Sequence, residues 1–224
     1  MGGRRRIDLI GTPTDVHSSF LRGPAKAPPL IRAALFSPHG NSPSAALPAS
    51  ERGLELGAEI DLNDCGDLPL IETPEDDARI TAAIDASLLA GAIPISLGGD
   101  HSITYPVIQA IAAHHGPIDI LHLDAHPDLY DELDGDRRSH ASPFARIMEE
   151  GLARRLVQIG IRTLNKHQRE QAERFGVEQL EMRDVGRVSF AFERPLYISI
   201  DLDGFDSVFA PGVSHQSAER QGPS

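Results

Sequence analysis

One pattern restricts this chain more than any other: short runs of Ile, Leu and Val alternate with longer stretches of helical periodicity. That alternation builds βαβ units around a parallel sheet and places the chain in the α/β class. Strands are predicted over 7–10, 56–62, 93–97, 118–123, 156–161, 177–181 and 196–202. Their branched apolar content suits strands buried on both faces. Helices are predicted over 28–36, 74–90, 105–114, 142–150 and 165–175, the second with Thr73 as N-cap and Pro74 in its first turn. The stretch 37–51, rich in Pro, Ser, Ala and Asn, reads as a surface loop. The expected organisation is a single domain over 1–215, followed by a polar and disordered tail over 216–224.

The chemistry concentrates where predicted strands end, the edge at which open parallel sheets bind ligands. After the strand at 93–97 comes Gly98-Gly99-Asp100-His101-Ser102. The paired glycines allow a sharp turn and a close backbone approach to a ligand. After the strand at 118–123 comes Asp124-Ala125-His126-Pro127-Asp128. If that strand continues, period two sets Asp124, His126 and Asp128 on one face. Carboxylates crowded at a buried strand end repel one another and lose hydration, and a divalent cation removes both penalties. The strand at 196–202 runs into Ser199-Ile200-Asp201-Leu202-Asp203, a second alternating carboxylate pair, which sheet order can bring beside the first. A fourth motif, Ser139-His140-Ala141-Ser142, precedes a predicted helix and reads on its own as an N-cap.

His101, Asp124, His126, Asp128, Asp201 and Asp203 together offer two imidazoles and four carboxylates. That set is too large for one closed tetrahedral zinc site and suits two divalent ions bridged by carboxylates. Mixed oxygen and nitrogen ligation favours Mn²⁺, with Fe²⁺, Co²⁺ or Zn²⁺ as alternatives. Such a pair activates water near neutral pH, so the reaction class is metal-assisted hydrolysis of an electrophilic carbon. The formal charge of −12 disfavours general binding to nucleic acid or anionic membranes. Cys65 is the sole cysteine, which excludes an internal disulfide and fits a reducing, cytoplasmic compartment. The basic start, Arg4-Arg5-Arg6, has no apolar signal-peptide region after it, and no run approaches the ~18 apolar residues of a membrane span.

At Gly98-Gly99-Asp100-His101-Ser102, Asp124-Ala125-His126-Pro127-Asp128 and Ser199-Ile200-Asp201-Leu202-Asp203 the chain resembles the ureohydrolases, the superfamily of arginase, agmatinase, guanidinobutyrase and formimidoylglutamase. The stretches 139–149, 158–162 and 175–179 are similar to plant-type arginases in particular. The resemblance implies a three-layer α/β/α fold with a mostly parallel sheet, and two Mn²⁺ ions. His101 and Asp128 would hold one ion, His126 and Asp203 the other, with Asp124 and Asp201 bridging. His140 would match the family's active-site histidine, and Asp128 would pass on the proton of the attacking water. The implied substrate is a small cationic guanidino compound, cleaved to urea and an amine. The carboxylates of the acidic loop 129–138 would face a second cationic end, as in agmatine, and this leans the choice narrowly that way; Arg137 or Arg138 would instead pair with a substrate carboxylate, and the plainest alternative is that these charges are simply solvated. Homo-oligomers are usual in that family.

The resemblance also implies a final strand, further helices and a guanidinium-gripping carboxylate beyond His215, where this chain turns polar at Gln216. That change of character reads as a truncated or frame-shifted C-terminus. Two other functions therefore stand beside hydrolysis: a degenerate homologue that only binds metal, and a single-zinc amidohydrolase of the deacetylase kind, which would leave Asp124 and Asp203 unexplained.

Overall fold

The computed structural model describes residues 4–38, 60–185, 190–192 and 195–213, which group into two compact units. Most of the predicted loop 37–51, the start of the strand predicted at 56–62 and the tail 216–224 lie outside the described residues.

The first unit carries a parallel three-stranded sheet in the order β2-β1-β3, formed by β1 (Arg5–Thr12), β2 (Ile60–Asp67) and β3 (Ile93–Gly98). Helices α1 (Ala27–Leu35), α2 (Asp76–Leu89) and α3 (Thr104–His115) complete it, and Leu9, Ile10, Ile80, Ile84, Val107 and Ile108 are buried. Thr73 does not cap α2. The Asp76 carboxylate instead turns back to accept the amides of Ile71, Glu72 and Thr73 and the Arg79 guanidinium. One carboxylate thus satisfies several donors at once, which a single hydroxyl cannot do.

The second unit carries a parallel four-stranded sheet in the order β6-β5-β4-β7, formed by β4 (Ile118–Leu123), β5 (Ala153–Ile161), β6 (Glu178–Glu181) and β7 (Leu196–Ile200). Its helices are α4 (Pro143–Glu149) and α5 (Lys166–Phe175). The caps of α5 are local chemistry: Asn165 accepts the amide of Gln168, and Gly176 ends the helix at φ 66°. Ile118, Ile120, Leu129, Phe144, Ile147, Leu156 and Val157 form the core. Burial on both faces holds for the central strands β4 and β5. It fails for the edge strand β7, where Ile198 is 53% and Ile200 59% exposed. Among the described residues, no helix is long and apolar enough to cross a membrane.

Candidate metal centre

The register of the second sheet assembles the site. β4 and β7 are parallel neighbours with Leu123 opposite Ile200, so Asp124 and Asp201 leave the sheet side by side. The Asp201 amide donates to the Leu123 carbonyl at 2.9 Å, and the Asp124 amide donates to Ile159 on β5 at 3.1 Å. The ends of three strands are thereby tied together by backbone alone.

Period two does not continue past Leu123. β4 ends there, Asp124 Oδ1 accepts the His126 amide at 2.7 Å, and Asp128 adopts the left-handed region at φ 48°. Asp and Asn close such turns with their own side chains. The Asp201-Leu202-Asp203 stretch closes in the same way, with Asp201 Oδ1 accepting the Asp203 amide at 2.9 Å inside a 3₁₀ turn. The acidic residues therefore converge by two Asx-type turns rather than by strand alternation.

Within the second unit these turns bring a three-residue group together. One ligand atom from each of Asp124, His126 and Asp203 lies within 4.8 Å of the others. His126 Nδ1 is 3.1 Å from Asp203 Oδ2 and 3.5 Å from Asp124 Oδ1. Asp128 and Asp201 flank this group without joining it, Asp201 serving the turn at Asp203. His101 lies in the first unit, opening the 3₁₀ turn after β3. Gly99 beside it is required for a close approach, but to backbone rather than to a ligand: a Cβ there would meet the Thr14 carbonyl at 1.7 Å. His140 precedes α4, whose N-cap is Ser142. Its amide donates to the His17 carbonyl at 3.2 Å, and its Nε2 lies 2.9 Å from the Ser19 hydroxyl.

The electrostatics of the group fit a cation. Burial works to lower the His126 pKa, yet contacts with Asp124 and Asp203 and the charges of Asp203 and Asp128 raise it to about 10. Burial raises the Asp203 pKa, His126 opposes the rise, and repulsion from Asp124 adds to it. Without a metal the site draws a proton to offset its concentrated negative charge, and a divalent ion answers the same need more fully. The donor set of two carboxylates and one imidazole suits Mn²⁺ and its neighbours.

The Arginase family model matches residues 5–223, nearly the whole chain. This chain belongs to the Arginase family. It is 47% identical to Arginase 1, mitochondrial, of Arabidopsis thaliana over 96% of its own length and 66% of that protein's. It is 34% identical to Agmatinase, mitochondrial, of Gallus gallus over 92% of its length and 63% of that protein's. Among solved structures, an arginase from Medicago truncatula superposes with a TM-score of 0.84 at 39% identity, over 96% of this chain and 72% of that one. The chain thus spans just under two thirds of the curated relatives it matches. The family fold is consistent with the parallel sheets and helices described above, and the family is metal-dependent.

Three residues that the sequence reading did not single out shape this arginase-family site. Arg162 donates through Nη2 to the Asp203 carbonyl at 2.6 Å and through Nη1 to the Gly204 carbonyl at 2.8 Å, a fork that holds the turn bearing Asp203. His122, fully buried, places Nε2 2.8 Å from Asp124 Oδ2. Gln158, also fully buried, places Nε2 3.1 Å from His122 Nδ1. A sequence signal existed for the last two: each is a polar residue flanked by apolar ones in a central strand, Leu121-His122-Leu123 and Val157-Gln158-Ile159.

Proposed function

We propose that this chain hydrolyses the guanidino group of a small cationic substrate and releases urea, with Asp124, His126 and Asp203 holding Mn²⁺. The observation that carries this reading is the convergence of those three side chains within 4.8 Å, in a chain matched by the Arginase family over residues 5–223. His101, Asp128 and Asp201 are the further ligands that the sequence motifs assign for a two-ion centre. The chemistry a divalent ion supplies at such a site is activation of water towards an electrophilic carbon. His140, with its ring nitrogen at the Ser19 hydroxyl, is suited to hand a proton to the departing amine.

Arginine is the better-supported substrate. The carboxylates of the loop 129–138 lean towards agmatine, but two of them, Asp131 and Asp136, are engaged within the protein. Asp131 accepts from Arg137 at 2.8 Å and Arg146 at 2.7 Å, and Asp136 pairs with His17 at 2.7 Å. The relatives point the same way, with 47% identity to the Arabidopsis arginase against 34% to the chicken agmatinase. The products would then be urea and ornithine, or putrescine if agmatine is taken. The single Cys65 fits a reducing compartment, either the cytoplasm expected above or the mitochondrion for which the Arabidopsis relative is named, and subcellular fractionation decides between them.

The test is urea release by the purified Mn²⁺-loaded chain from arginine, agmatine and 4-guanidinobutyrate in parallel. Urea from one of them, abolished in Asp124→Asn, supports the reading and names the substrate. Two Mn²⁺ bound with no urea from any substrate means a metal-binding homologue without catalysis. One zinc per chain favours the deacetylase-like alternative.

A further inference from the structure

A polar rung crosses the sheet of the second unit. Gln179 on β6 is registered with Gln158 on β5, Gln158 with His122 on β4, and His122 with Ser199 on β7. Register partners in a sheet share a face, so four polar side chains lie in one row. On the side away from Asp124 the core is apolar: Ile120 and Leu156 are buried, and Phe144 packs its ring 4.3 Å from that of His122. An apolar row would be simpler to bury, because polar groups placed here need every partner satisfied.

The hydrogen bonds along the row run in one direction. Gln158 Nε2 donates to the Pro127 carbonyl at 2.5 Å, and Gln158 Oε1 accepts from Gln179 Nε2 at 2.9 Å. Turning the Gln158 amide over would set its oxygen against the Pro127 carbonyl, so its orientation is determined by its surroundings. Its second N–H then faces His122 Nδ1 at 3.1 Å, and Nδ1 must accept. The ring proton is left on Nε2, which donates to Asp124 Oδ2 at 2.8 Å. Asp124 Oδ1 meanwhile accepts the His126 amide at 2.7 Å. Both carboxylate oxygens are held by a donor, and each keeps lone-pair capacity for a cation.

We propose that the Gln179–Gln158–His122 row is a positioning device that fixes the Asp124 carboxylate for metal binding, an inference that rests on the metal reading given above. His122 and Gln158 are positioning residues: neither needs to touch the metal or the substrate. Partners of this kind orient a ligand before the metal arrives, and their loss typically weakens metal binding about 10- to 100-fold.

The test measures Mn²⁺ affinity from the paramagnetic resonance signal of the free ion, with melting temperature alongside. Long-range proton–nitrogen NMR of the metal-free protein reports which nitrogen of His122 carries the proton. Gln158→Leu, close in volume and without donors, should weaken Mn²⁺ binding about 10- to 100-fold. His122→Gln, which returns an N–H near the position of Nε2, should stay closer to the unsubstituted affinity than His122→Ala. The NMR spectrum should show Nε2 protonated and Nδ1 bare. Folded Gln158→Leu protein with unchanged affinity, or a ring protonated at Nδ1, overturns the proposal, because a merely structural row lowers the melting temperature and leaves affinity alone. If Gln158→Leu does not fold, Gln179→Leu at the half-buried end of the row carries the same test, and unchanged affinity there has the same meaning. No Mn²⁺ binding by the unsubstituted chain overturns the metal reading itself, and this inference with it.

Discussion

Divalent-metal binding should strengthen about a hundredfold between pH 6.5 and 8.5, because the metal must displace a proton that the metal-free site holds on His126. The ring's pKa stands at about 10 instead of 6.5, despite its burial, because Asp124 and Asp203 lie within 3.5 and 3.1 Å of Nδ1. At about 1.4 kcal/mol for each tenfold step, the charged ring is favoured by roughly 5 kcal/mol. The folded-state value lies above the unfolded one. The stability contributed by the charged ring is therefore fully present below about pH 6.5 and is lost as pH rises through about 10. Metal binding has the opposite trend: below about pH 10 each unit of pH removes roughly a tenfold share of proton competition. Titrating Mn²⁺ calorimetrically in two buffers of different ionisation enthalpy counts the protons released. The count should be close to one greater for the unsubstituted chain than for His126→Asn, whose affinity should be the flatter with pH. Equal proton counts in the two proteins, with affinity flat from pH 6.5 to 8.5, would refute the reasoning.

Two further outcomes follow from the packing around Asp124. Phe144→Ala empties a fully buried site beside the His122 ring and should cost about 3–5 kcal/mol in a denaturant titration. Gly160→Ala asks for a side chain at φ 94° with its Cβ 3.1 Å from the Asp124 carbonyl, and should cost about 1–3 kcal/mol while weakening metal binding; unchanged affinity would mean that the end of β4 yields without moving the carboxylate.

Much of the architecture was legible along the chain because its causes are local. The strand Ile118–Leu123 announces itself by its apolar run, and α5 by Asn165 at one end and Gly176 at the other. The residue types at the strand ends already pointed to metal chemistry, since so many carboxylates and imidazoles there have few other uses. Folding decided the rest. Asp203 reaches His126 only because β7 pairs with β4 in one register, and a run of amino acids does not state which distant strand it will meet. The left-handed Asp128 and the Asx-type turns at Asp124 and Asp201 broke the alternation that the sequence suggested, because a carboxylate that bonds its own backbone competes with continued strand. His122 and Gln158 looked like isolated polar interruptions until register joined them, since a hydrogen-bonded row across a sheet exists only once its strands lie side by side.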